Sequence, residues 1–441
     1  MNDSHKLTGE REQWFKQACA SIQKERLRQL NLDLVNIHSP TGAEKEASEF
    51  MTNHMKNMGL SSRYQTVNES SGNAIGELKG SGEGATMLLY APIDTHLEGS
   101  EADLPMVGDH LRDDMKPEGI LRDDLVIGLG ASNPKAMVAT LAEAVNAVVD
   151  AGIPLKGNIV LAFAGGGMPS VVPERNNYGM STGASFMLTH GVTADFGIIL
   201  KPWYEVYHEH PGMCWFKIRV KGDLGYSGIP RGTPGFRSSI VPAATLIQEL
   251  ETWLPQFTIN NTTEQIAPEG WIAAVQSGWP NRPAFPAAST ELFIDMRCNP
   301  YQTTANVKLQ FDNAMNDILA RNPDIEAEWE MYGSCPGSAT PKEHWVVQSA
   351  LAAWEHQEGK AYPGAAMLSG QTDAAIINKL GIPLVRVGYP WIGDAAVPEE
   401  FSNGLGGMGV SNIDDLISPC ENIIYSIIDS MTRTREEVNI E

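Results

Sequence analysis

Apolar residues recur along the chain in two rhythms. Over residues 9–37, Trp14, Phe15, Ile22, Leu27, Leu30, Leu34 and Val35 fall at steps of three and four, which predicts helix. The break His38-Ser39-Pro40-Thr41-Gly42 reads as a loop, and 44–58 as a second helix stopped by Gly59. Strands are expected over 62–67 and 73–78. The run 87–90, apolar on both faces, suits a central strand covered by helices. A charged, irregular stretch over 99–124 reads as a long loop. The glycine-rich turn Gly128–Lys135 then opens a helix over 136–150, and strands follow over 158–164 and 196–200.

The rhythm changes near Gly212. Alternating strands are expected over 214–221, 270–277, 289–297 and 325–331, with helices over 241–253 and 303–321. Two helices on one face of an antiparallel sheet make a compact insertion. The first pattern then resumes, with helix 345–358, strand 383–388 and helix 419–432. The expected architecture is an α/β catalytic domain with a mostly parallel sheet, formed by 1–211 and 333–441 and interrupted by an α+β domain over 212–332. Ligands of such a sheet gather at the C-terminal ends of its strands.

Composition narrows the partners. The chain of 441 residues carries 54 acidic and 32 basic side chains, a net charge of -22 that disfavours nucleic acid and anionic membrane. Cys19, Cys214, Cys298, Cys335 and Cys420 are scattered without a CxxC pair, which fits a reducing cytoplasm. The polar start of the chain lacks the apolar core of a signal peptide, and no run reaches membrane-spanning length.

Several strings then bear on chemistry: His38–Gly42 with Glu44, Asp94-Thr95, Gly128–Lys135, Lys221-Gly222, Asp295-Met296-Arg297 and Gly370-Gln371-Thr372-Asp373. In this order they resemble the di-zinc aminoacylase, carboxypeptidase G and succinyl-diaminopimelate desuccinylase family of exopeptidases and deacylases. The resemblance implies a catalytic α/β domain, an inserted lid that often makes a homodimer, and a zinc pair. It also implies ligands that this chain lacks. Pro92 stands for the histidine two residues before Asp94, and Asn133 for the bridging carboxylate. Gly165, Gly166 and Gly167 stand for a glutamate pair, and Lys201 for an acidic ligand. No histidine follows His356, where the family has its last one. A zinc pair is therefore not expected, nor any other cofactor.

Other groups could take over. Alternation in an extended segment would turn Asp94 and His96 the same way as a carboxylate–imidazole base; the alternatives are a turn cap and a surface histidine. Lys201 is read as an oxyanion stabiliser, a low-pKa amine or a substrate-carboxylate anchor, or else as a salt bridge filling the metal's place. Tyr226 stands where the family's lid has a histidine and could donate to an oxyanion. Substrate contacts are expected from Asn133, Arg297, Thr372, Asp373 and the backbone around Gly166, with a structural ion pair as the alternative for Arg297. Ser132 and Lys135 spell SxxK, a spacing that the family's glycine-rich turn shares; His208-Glu209-His210 reads as a lid hinge or as metal-ligand chemistry, and Tyr389 with Trp391 as a cleft wall or as core.

The expected function is hydrolysis of an amide or related C–N bond in a small carboxylate-bearing substrate, by a cytoplasmic, metal-independent homodimer. Two alternatives stand beside it: a non-catalytic relative that binds a small molecule or serves in assembly, and a hydrolase with one relocated metal.

Overall fold

A computed structural model describes residues 3–177, 179–230, 233–234, 236–389, 397, 399–401 and 408–440. The chain forms two compact units. One comprises Met1–His208, Thr340–Ala365 and Thr372–Glu441, and the other Glu209–Ala339 with Ala366–Gln371. The second unit thus begins before 212 and ends after 332, because the short strand Glu209–His210 pairs with Ser338–Ala339. It also takes in Ala366–Gln371, where Leu368 accepts from the Ala267 N–H and donates to the Gln265 carbonyl.

The first unit is built on a seven-stranded sheet. Its strands are β1 (Ser61–Thr66), β2 (Gly72–Leu78), β3 (Thr86–Pro92), β4 (Asn158–Ala164), β5 (Phe196–Pro202), β6 (Val206–Tyr207) and β7 (Leu384–Tyr389). They lie in the order β1-β2-β4-β3-β5-β7-β6. The four middle strands, β4, β3, β5 and β7, run parallel, whereas β1, β2 and β6 join antiparallel at the two sides. Both faces of the middle are covered, as continuous apolar strands require. Met87, Leu89, Phe163, Ile198 and Val385 share one core with the helices Met137–Asp150, Trp345–Glu358 and Ile417–Met431. Leu88, Tyr90, Ala162, Ile199 and Leu384 face the helices Thr182–Thr189 and Ala374–Lys379.

Two expectations are revised here. The N-terminal helix divides into Glu10–Ala20 and Lys24–Val35. The long loop is not wholly irregular, since it carries the helix Leu104–Val107 and ends in the strands Ile120–Arg122 and Leu125–Ile127, which are completed by Val410–Asn412.

The second unit is an antiparallel sheet ordered Gly270–Ser277, Ser289–Cys298, Gly212–Lys221 and Ala327–Cys335. Phe216, Ile218, Leu292 and Ile294 from this sheet pack with Leu246 and Leu250 of the helix Ile240–Asn261 and with Phe311 and Met315 of Thr304–Arg321. Among the described residues of the chain, no helix is long and apolar enough to cross a membrane.

Candidate active site

The parallel strands of the first unit end together, and their ends gather the charged residues. Pro92 closes β3 beside Ala164 of β4, and Lys201 of β5 lies beside Gly388 of β7. Beyond β3 the chain turns inward at Asp94, which is fully buried. One carboxylate oxygen of Asp94 accepts from the Gly167 N–H at 2.9 Å. The other accepts from the Met168 N–H and the Thr41 hydroxyl, both at 2.8 Å. Thr41 is held there because Thr95 donates its N–H to the Ser39 carbonyl, laying the His38–Gly42 loop alongside.

The glycines after β4 have a defined task. Four successive amides are donated inward, from Gly165 to the Asn73 side chain at 3.2 Å, from Gly166 to Glu44 at 2.9 Å, and from Gly167 and Met168 to Asp94. Glu44 is also buried and accepts from the Gly42 N–H at 2.6 Å. The Ser71 hydroxyl also acts on this carboxyl and holds it down. Burial, then the charge of Asp94, pushes the Glu44 carboxyl up. Burial likewise raises Asp94, opposed by its Met168 and Thr41 donors.

A side chain in this turn would collide with the cluster. A Cβ at Gly165 would lie 2.7 Å from Glu44 Oε2, and one at Gly167 would lie 2.6 Å from Pro92 Cβ and 2.7 Å from Asp373 Oδ2. Gly166 has a φ of +65°, the left-handed region that favours glycine. The reading of Gly166 as a backbone contact for a substrate anion is therefore corrected, because the protein's own carboxylates take these amides.

Asp373 enters from the other side, at the start of the helix Ala374–Lys379, and accepts from the Tyr90 hydroxyl at 2.7 Å. Thr372 is buried next to it, its hydroxyl accepting from the Ala374 N–H at 3.3 Å. The Lys201 amine is pushed down to about 8 by burial, against the pull of Asp373's charge; Arg386 pushes it further down and Asp94 opposes. Burial raises Asp373, and Lys201 pulls it back. Lys201, Asp94 and Asp373 are all buried at these strand ends.

Asn133 lies in the turn Ala131–Ala136, which runs alongside β5. Its backbone N–H donates to the Met408 carbonyl, while its buried side-chain oxygen finds no hydrogen-bond partner among the described residues. The Lys135 amine donates to the Ile37 carbonyl at 2.9 Å, and burial pushes it down to about 7.

Other expected residues fall elsewhere. His96 does not pair with Asp94. The strand stops at Pro92, so alternation no longer dictates facing, and the charges that act on His96 are those of Asp103 and Asp114. Burial pushes this imidazole down to about 4. Tyr226 belongs to the second unit, is exposed, and packs on Phe285 with ring centroids 5.7 Å apart. Arg297, in the same unit, pairs with Asp295 at 2.7 Å. The His208–His210 triplet spans the boundary between the units, and Glu209 accepts from Thr263, the Gln265 N–H and Tyr301. Among the described residues, no three His, Cys, Asp or Glu side chains are grouped to hold one ion. The side chain of Tyr389 and all of Trp391 lie outside the described residues.

Glu44 was not among the expected site residues. The signal for it was the spacing Thr41-x-x-Glu44 ahead of the amphipathic helix Lys45–Asn57, a pattern that ordinarily marks a helix cap.

Solved structures share this fold. An aminopeptidase PepT from Bacillus cereus matches with a TM-score of 0.63 at 18% identity, over 93% of this chain and 99% of that one. Human carnosine dipeptidase 1 matches with 0.68 at 13% identity, over 97% and 100%. The dipeptidase Dug1p from Saccharomyces cerevisiae matches with 0.69 at 12% identity, over 95% and 99%. The family model for peptidase family M20/M25/M40 matches residues 104–410. The chain belongs to that family of peptidases.

Proposed function

We propose that the protein hydrolyses the amide or related C–N bond of a small carboxylate-bearing substrate at the strand ends of the first unit, without the zinc pair that the family resemblance implies. The observation that carries this reading is Lys201, a buried cation set among Asp373 and Asp94 where an acidic ligand was expected. Two divalent ions need several carboxylate and imidazole donors between them. At the corresponding positions Pro92 and the glycines carry no donor side chain, Asn133 offers a neutral amide, and Lys201 repels a cation. Asp94 already accepts from three protein donors. This set does not fit a zinc pair.

The Lys201 ammonium faces the oxygen on which charge develops as the amide is attacked. The linked carboxyls Asp94 and Glu44 take up the proton of the attacking water. Asn133, Thr372 and Asp373 contact the substrate beside Lys201. We place the protein in the cytoplasm, in keeping with five cysteines that form no disulfide among the described residues. It is a homodimer through the second unit, whose edge strand Gly270–Ser277 exposes Trp271 and Val275; sedimentation at the monomer mass would remove this part of the proposal.

A second reading, that of a binding protein without turnover, draws on how fully Asp94 and the glycine amides satisfy each other. The two readings separate in a turnover screen over N-acyl amino acids and dipeptides, with and without chelator. Hydrolysis is expected to survive chelator and to fall by about 100-fold or more in Lys201→Met. It should also decline as pH rises through about 8, where Lys201 loses its proton. Activity abolished by chelator, or kept by Lys201→Met, overturns the proposal. Binding without turnover selects the second reading.

A further inference from the structure

We propose that Arg175 is a strap that closes the loop 168–177 over Glu44 and Asp94, and that substrate is admitted when the strap parts. The inference rests on Glu44 and Asp94 as the proton acceptors of the hydrolysis, and it adds the step that uncovers them.

Glu44 and Asp94 are fully buried, so water and substrate reach them only after some part of the first unit moves. The chain that leaves the glycine turn at Met168 comes back to it. There the Thr182 N–H donates to the Gly166 carbonyl at 3.1 Å, and the Gly183 N–H to the Gly165 carbonyl at 3.0 Å. Between these ends, Arg175 and Asn177 press on the backbone that holds Glu44. A Cβ at Gly42 would lie 2.9 Å from Arg175 Cβ, and one at Gly166 would lie 2.9 Å from Asn177 Oδ1. Gly42 and Gly166 are the glycines whose amides donate to Glu44.

Apolar packing does little to hold this loop. Met168 is buried, but beyond it Pro169, Val171, Pro173, Glu174 and Asn176 are exposed. Such a segment opens more readily than the strands beneath it. Arg175 fastens it instead. Its Nη1 donates to the Thr41 carbonyl and to Glu98 Oε1, both at 3.1 Å, and its Nη2 donates to Glu98 Oε2 at 2.6 Å. The forked guanidinium suits this two-point contact with a carboxylate. Thr41 gives its hydroxyl to Asp94, and Glu98 lies four residues beyond Asp94, so Arg175 ties the loop to both neighbours of that carboxylate. The Arg175 carbonyl in turn accepts from the Asn68 side chain at 3.2 Å. The Arg175 and Glu98 side chains are 25% and 31% exposed, so water and salt can loosen the pair.

Hydrogen exchange read by mass spectrometry, together with carboxyl labelling by a water-soluble carbodiimide and glycinamide, tests this without turnover. Arg175→Ala and Glu98→Gln should each speed exchange of the amides of 166–177 by about fivefold or more, and should label Glu44 and Asp94 faster by a similar factor. The amides of β3 should exchange as in wild type. Arg122→Ala, which breaks an exposed pair with Glu400, should change neither readout. Raising salt from about 0.1 to about 1 M should speed exchange of 166–177 in wild type but not in Arg175→Ala. The proposal is overturned if both strap variants leave exchange of 166–177 unchanged, if exchange rises without faster labelling of Glu44 and Asp94, or if β3 loosens as much as the loop. If exchange and labelling follow the strap while no amide is turned over, the hydrolase reading fails and the strapped loop stands.

Discussion

Glu44 and Asp94 place two carboxyl groups in the interior with the amides of a single turn to hold them. Such burial is costly, and it makes the Glu44 proton part of the folded structure. In the unfolded chain this carboxyl ionises near its ordinary value of 4.5, whereas in the fold burial and Asp94 raise it. Above that ordinary value the folded state binds more protons than the unfolded one, so the contribution of Glu44 to stability falls as pH rises toward its folded value. Glu44→Gln keeps an oxygen for the Gly42 and Gly166 amides and removes the titration. Its melting temperature relative to wild type should therefore climb between about pH 5 and neutrality, by the equivalent of about 1 to 3 kcal/mol. A difference independent of pH would show that Glu44 is not held protonated. Asp94 and Lys201 were legible in the sequence because each sits at the end of an apolar run. Glu44 was not, since its Gly166 partner lies 122 residues away, and His96 was misread because alternation stops with the strand at Pro92.

At the scale of elements, the glycine turn after β4 replaces side chains with amides. A methyl group at Gly167 would press on Pro92 and Asp373 at once, and neither can move without disturbing the cluster. Gly167→Ala should cost about 1 to 3 kcal/mol in denaturant melts. Gly370→Ala, where a Cβ meets nothing within 4 Å, should cost about 0.5 kcal/mol or less. Equal effects would mean that the turn is not packed as described. The middle strands of the first unit were legible as short apolar runs, and those of the second as alternation. The hairpin Ile120–Ile127 was not, because each strand is only three residues long and its third partner, Val410–Asn412, is far away in sequence. The break at residues 21–23 was hidden by an apolar period that continues through it.

For the molecule as a whole, the fold is that of a peptidase family, and the strand ends of its first unit carry Asp94 and Lys201. The rhythm of the sequence changes near Gly212, whereas the passage of Ala366–Gln371 into the second unit leaves no such trace, since backbone contacts to Gln265–Ala267 hold it there. On our proposal, Lys201 with Asp94 and Asp373 stands where the family resemblance implies metal. Elemental analysis of protein purified without chelator from zinc-supplemented cells tests it most directly. The expected result is zinc, cobalt and manganese together below about 0.2 ions per chain. About two ions per chain, retained through gel filtration, would contradict it.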